Sequence, residues 1–145
     1  MQANWLRGAM SQPLVYVDTS TVREGSLAQL KDAIAELAEF VEANEPQLIS
    51  YSVYVSEDGH EMTVVHVHAD AASLDYHMDA AGPRFARFAD LVTLSSIHIY
   101  GDPSVEALGE LREKMRLLGS GEVTVRAPHA GFIRSVRAGA AERRE

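Results

Sequence analysis

The sequence predicts an α+β fold whose elements run in the order β-α-β-β-α-β. Three observations carry that prediction. Two alternating runs meet at Asp58-Gly59, the dipeptide of a tight hairpin. Apolar residues recur at helical spacing from Leu27 to Val41. Short runs of β-forming residues, Leu14 to Asp18 and Leu91 to Tyr100, stand at either end.

In chain order, Leu14-Val-Tyr-Val-Asp18 follows Pro13 and is rich in β-branched and aromatic residues, so it is the first strand. A turn at Arg23-Glu-Gly25 leads to Ser26, placed to cap a helix carrying Leu27, Leu30, Ile34, Leu37, Ala38 and Val41. Asn44 and Pro46 end it. From Leu48 to Ser56, Ile49, Tyr51, Val53 and Val55 alternate with Ser50, Ser52 and Tyr54, and a second alternating run starts at Glu61. Asp70 then caps a second helix with Leu74, Tyr76, His77, Met78, Phe85 and Phe88, which Gly82-Pro83 must break or kink. Leu91 to Tyr100 is the fourth strand. Beyond Gly101-Asp-Pro103 a further helix runs from Ser104 to about Leu118, stopped by Gly119-Ser-Gly121, with a short β-like segment from Glu122 to Arg126.

This order is that of the ferredoxin-like fold, in which two helices cover one face of a four-stranded antiparallel sheet. The other face is left bare and partly apolar, and a second copy is expected to cover it, so a homodimer is expected. The predicted domain spans 14–100. Residues 101–137 form an extension packed on the domain or on the partner subunit, and 1–13 and 138–145 are expected to be flexible.

Composition bounds the function classes. At 145 residues, 46% hydrophobic and 23% charged, the chain can bury one core and needs no second domain. A net charge of -8 argues against nucleic acid and anionic membranes, which are bound through clustered Lys and Arg. No apolar run approaches the roughly 20 residues that span a bilayer. The first 13 residues lack a signal-peptide core, so a soluble, cytoplasmic protein is expected. With no cysteine, disulfides, thiolate metal sites and Cys nucleophiles are excluded, leaving His, carboxylate and Tyr chemistry.

The run Thr63-Val-Val-His-Val-His-Ala-Asp-Ala-Ala-Ser-Leu-Asp-Tyr-His77, continuing through Gly82-Pro83-Arg84-Phe85-Ala86-Arg87-Phe88 into the strand at Leu91, resembles the antibiotic biosynthesis monooxygenase (ABM) family. The resemblance covers about Leu14 to Tyr100. It implies two ferredoxin-like units paired through their bare sheet faces into a dimeric α/β barrel, with a pocket between each sheet and its helices or within the barrel. It further implies cofactor-independent oxygenation of aromatic substrates in some members, haem degradation in others, and no known activity in many. His77 matches the family's recurrent helical His. His66 falls where many members carry a Glu, which departs from the quinol-oxidising pattern. The lone Trp5 precedes the first strand, so the Trp of the haem-degrading members is not matched.

His66 and His68 lie two apart on one strand and share a face. Val65 and Val67 suit the helix-covered core, which would turn the imidazoles toward the bare, pocket-forming face. His98 sits in a set with Val92, Leu94, Ser96 and Tyr100 and is placed on the His66 face, roughly 10 Å away across two strand spacings. Three readings stand: polar lining of a pocket or interface, general-base or substrate-orienting work suited to the imidazole pKa, and a metal site. His66 and His77 are the candidate catalytic residues, and Tyr16, Tyr51, Tyr54, His68, His98 and Phe85 the candidate pocket lining. No metal ligand set and no cofactor are assigned. The expected function is a cofactor-independent monooxygenase acting on a small phenolic or polyketide-like substrate. The alternatives are a non-catalytic small-molecule-binding or structural dimer and a His-ligated metal enzyme.

Overall fold

A computed structural model of the protein describes residues 12–134. Trp5 and the expected flexible termini fall outside the described residues, apart from Gln12 and Pro13. The elements are β1 (Leu14–Val22), α1 (Leu27–Asn44), β2 (Leu48–Val55), β3 (Glu61–His68), α2 (Ala71–Ala81), a 3-10 segment (Gly82–Asp90), β4 (Val92–Tyr100), α3 (Val105–Leu118) and β5 (Gly119–Arg126).

The sheet has five strands in the order β2-β3-β1-β4-β5, so the expected four-stranded antiparallel sheet becomes a mixed one. β1 pairs antiparallel with both β3 and β4, while β5 runs parallel to β4. A parallel neighbour needs a crossover, and α3 supplies it. Gly119-Ser-Gly121 ends α3 at Leu118, as expected, and also begins the edge strand, which starts at Gly119 rather than at Glu122. A Cβ at Gly119 would collide with the Leu94 carbonyl oxygen and one at Gly121 with that of Ser95, so the close approach of β5 requires glycine at both.

α1 buries Leu30, Ala33, Ile34, Leu37 and Val41 at helical spacing. Ser26 holds the N-cap position without a side-chain capping bond; its carbonyl accepts from the Leu30 amide at 2.8 Å. The caps of the later helices are side-chain caps. Asp70 Oδ1 accepts from the Ser73 amide at 2.9 Å, and Ser104 Oγ accepts from the Ala107 amide at 2.9 Å. Pro83 cannot donate into a continuing helix, and the chain tightens there into the 3-10 segment, which buries Phe85 and Phe88. α3 adds Ala107, Leu111, Met115 and Leu118 to the same core.

The faces of the sheet depart from expectation. On β3, Met62, Val64, His66 and His68 are buried beneath the helices, whereas Thr63, Val65 and Val67 face the open side. The two imidazoles therefore lie on the opposite face from the one expected. β1 shows why: Leu14, Tyr16, Asp18, Ser20 and Val22 form its buried set, and the register pairs Tyr16 with His66 and Leu14 with His68. Leu, Met and Val at the ends of these sets anchor both strands inward, and the polar residues between them follow by the period of two.

Candidate functional site

Beneath the helices lies a polar cluster inside an apolar shell. Tyr16 and Asp18 come from β1, Tyr51 from β2, His66 and His68 from β3, Ser73 and His77 from α2, Phe85 from the 3-10 segment and Lys114 from α3. Glu45 enters from the end of α1, where Pro46 turns the chain and leaves the carboxylate almost wholly buried. The small chamber among them, about 30 Å³, is lined by Asp18, Tyr51, His66, His77, Phe85 and Lys114, with aliphatic residues around them.

The hydrogen bonds assign each group a part. His77 donates through Nδ1 to the Glu45 carboxylate, 2.9 and 3.0 Å from its two oxygens, and both side chains are only 1% exposed. That bond fixes the tautomer and leaves Nε2, which is buried and has no partner, as the nitrogen free to take a proton. His66 donates through Nδ1 to the Tyr16 carbonyl at 2.9 Å, and its ring stacks on the Tyr16 ring at 4.0 Å. Burial holds the His66 pKa well below the usual imidazole value, and the proximity of His77 and then Lys114 adds to the effect. His68 bonds Ser73 Oγ at 2.7 Å, and burial, then His77, pushes its pKa down to about 3. Both strand histidines are thus neutral near pH 7. Lys114 Nζ donates to the Tyr16 hydroxyl at 2.6 Å and to Asp18 Oδ2 at 3.2 Å, and lies 4.2 Å from the Phe85 ring centre. Burial, then the Asp18 carboxylate, raises the Tyr16 pKa well above its ordinary value, and the same causes raise that of Tyr51.

The structure gathers His66, His68, His77, Tyr16, Tyr51 and Phe85 in this one region. Tyr54 and His98 lie on the other face. Tyr54 pairs with Thr63 and is 59% exposed, and His98 pairs with Val17 and bonds Thr124 Oγ1 at 2.7 Å. His98 lies on the open face, as expected, with Ile97 and Ile99 in the buried register of β4; the expectation that it shares the His66 face is corrected because His66 turns inward beneath the helices. Among the described residues no group of three or more His, Cys, Asp or Glu is placed to hold a metal ion. Sequence reasoning missed Asp18, Glu45, Ser73 and Lys114. Only Asp18 carried a usable signal, as a carboxylate on the same alternation as Tyr16 in an otherwise hydrophobic strand.

Among solved structures, MupZ from Pseudomonas fluorescens is similar over 88% of this chain and 93% of its own, with 18% identity and a TM-score of 0.68. Protein SO0527 from Shewanella oneidensis is 30% identical over 61% of this chain and 87% of its own, with a TM-score of 0.51. SnoaB from Streptomyces nogalater, a cofactor-independent oxygenase, is 17% identical over 66% of this chain and 97% of its own, with a TM-score of 0.55. No curated protein matches the chain. The antibiotic biosynthesis monooxygenase family model matches residues 13–90, the stretch that supplies every residue of the cluster except Lys114, and the chain belongs to that family.

Proposed function

We propose that this protein is a cofactor-independent monooxygenase acting on a small phenolic or polyketide-like substrate, with His77 as the base. The observation that carries the reading is the His77–Glu45 pair: a buried imidazole oriented by a buried carboxylate, with Nε2 unpartnered at a chamber. An oriented base facing a small buried chamber is suited to proton abstraction from a weak acid. Family membership and the likeness to SnoaB support oxygenation as the outcome.

Nε2 takes the phenolic proton, and Glu45 stabilises the imidazolium that forms. The phenolate then carries negative charge on the ring carbon para to its oxygen, and that carbon bonds dioxygen. Cleavage of the O–O bond leaves one oxygen on the ring as a quinone carbonyl. The other departs as water with the proton returned by His77 and the hydrogen lost from the ring carbon. The substrate supplies all four electrons, so phenol and dioxygen balance quinone and water. Neutral His66 and the Lys114 ammonium line the same chamber as His77 and are placed to stabilise the developing charge.

A homodimer completes the proposal. Val15, Val17, Val65 and Val67 give the open sheet face an apolar centre for a second copy, as the family resemblance implies. The test is oxygen uptake with a panel of phenols and hydroquinones, together with quinone absorbance. Uptake that depends on His77 is expected. Uptake no faster than the buffer control across the panel favours the non-catalytic binding dimer instead.

A further inference from the structure

The 30 Å³ chamber is about the size of one or two water molecules and cannot take an aromatic ring. Beside it, between α3 and the junction of α2 with the 3-10 segment, lies a cleft of about 520 Å³, lined by Met78, Gly82, Phe85 and Leu117 together with the charged Glu110, Glu113, Lys114 and Arg116. Phe85 and Lys114 belong to both spaces, so the floor of the cleft is the outer wall of the chamber. We infer that this cleft binds the body of the substrate, and that the substrate is a neutral, weakly acidic hydroxyl compound, a phenol or enol, on an apolar frame. The assignment rests on the reaction proposed above only for the identity of the reacting group.

Size and polarity support the apolar body. A volume of about 520 Å³ lies in the range of small-molecule sites, and Met78, Phe85 and Leu117 offer it apolar walls. Gly82 leaves part of the cleft open: a Cβ there would meet nothing within 4 Å.

Charge supports a head group that arrives neutral. Asp75, Asp79, Glu106, Glu110 and Glu113 line the adjoining depression, and the chain carries a net charge of -8. A carboxylate ligand would approach against that field and then have to be desolvated. A hydroxyl meets neither barrier. At the floor it finds Lys114, whose side chain is 9% exposed and held by Tyr16 and Asp18, and beyond it the unpartnered Nε2 of His77. Charge then appears only once the proton has moved, next to a fixed ammonium.

α3 lies outside the stretch matched by the family model, so the cleft is built jointly by family and non-family parts of the chain. It also opens on the helical side, away from the sheet face a second copy would cover.

Calorimetric titration of the full chain with 4-alkylphenols from ethyl to pentyl, and with the matched 4-alkylbenzoates, tests the assignment without needing turnover. Affinity for the phenols is expected to rise about threefold to fourfold per methylene. The benzoates are expected to bind at least about tenfold more weakly. Gly82→Leu, which fills the cleft, and Leu117→Arg, at a residue already 53% exposed, should each flatten the chain-length dependence while thermal unfolding stays cooperative. Affinity indifferent to chain length, benzoates binding as well as phenols, or a gradient surviving both substitutions would each overturn it. The expected binding gradient together with no oxygen uptake by phenols that keep a para hydrogen overturns the proposed reaction and leaves the cleft assignment standing.

Discussion

The two faces of the central strands are made from the same alternating segments, yet their chemistry is inverted relative to the usual pattern. The covered face carries Tyr16, Asp18, Ser20, His66 and His68 beneath three helices, whereas the open face carries Val15, Val17, Val65 and Val67 with Thr19 and Thr63. Burying polar groups costs stability unless each is hydrogen-bonded, and here most of them are. The exceptions, Nε2 of His68 and of His77, mark where packing is incomplete as a matter of polarity rather than volume. On the proposed reading, those orphaned imidazole nitrogens on the covered side serve the reaction. On the same reading, the open face of small β-branched residues serves contact with a second copy.

The sharpest way to break this comparison is at His77. On the proposed reading His77→Ala lowers oxygen uptake by about 10²- to 10⁴-fold, read by an oxygen electrode, while retaining phenol binding in the cleft. Equal activity in the variant would reduce the covered face to structure alone. Glu45→Gln comes next. It keeps a partner for Nδ1 but removes the charge that stabilises the imidazolium, so about a 10- to 100-fold loss in kcat with little change in KM is expected. A uniform rise in KM would instead point to a purely structural role for Glu45.

The strand histidines make the covered face sensitive to acid. Their folded pKa values lie below the ordinary imidazole value near 6.5, so below that pH the unfolded chain takes up protons that the native state refuses. Stability contributed by these groups is complete above about pH 6.5 and falls as pH drops toward about 3 for His68, by about 1.4 kcal/mol per pH unit for each histidine. Urea melts at pH 7, 6 and 5 measure the slope, and His68→Gln should reduce it by one histidine's share. At the edge of the sheet, Gly121→Ala drives a Cβ into the Ser95 carbonyl and is expected to cost about 2 to 4 kcal/mol, or to detach β5 while the other four strands persist. Hydrogen exchange at Val123 and Val125 separates those outcomes.

On the open face the expected effect on the monomer is smallest. Val65→Lys should change the stability of one subunit by less than about 1 kcal/mol, because the side chain is only half-covered there. The same substitution should shift sedimentation from dimer to monomer. A mass unchanged by the substitution would show that this face is not the contact between copies.

How much of this was legible beforehand varies by residue. The helices announced themselves through Leu30, Ile34, Leu37 and Val41 and through the capping residue Asp70, because those signals are local. The hairpin at Asp58-Gly59 was equally plain, since Gly59 takes a positive φ that its neighbours could not take cheaply. That His66 and His68 share a face followed from the strand period alone. Which face it is did not follow. β3 offers Met62 and Val64 on one side and Val65 and Val67 on the other, and either pair satisfies a hydrophobic core. The valines outrank histidines by hydrophobicity, so the simple preference pointed the imidazoles outward. Family resemblance led to His77 but not to its partner.

Local order and alternation are properties of neighbouring residues, so composition and spacing alone establish the elements, their sequence and the pairing of His66 with His68. The inward turn of that pair, the meeting of Glu45 with His77 across 32 positions, and the arrival of Lys114 at Tyr16 from 98 positions away depend on contacts that no local pattern encodes. A buried imidazole is tolerable only where distant groups satisfy it, and that condition is met in space, between elements, after the chain has closed on itself.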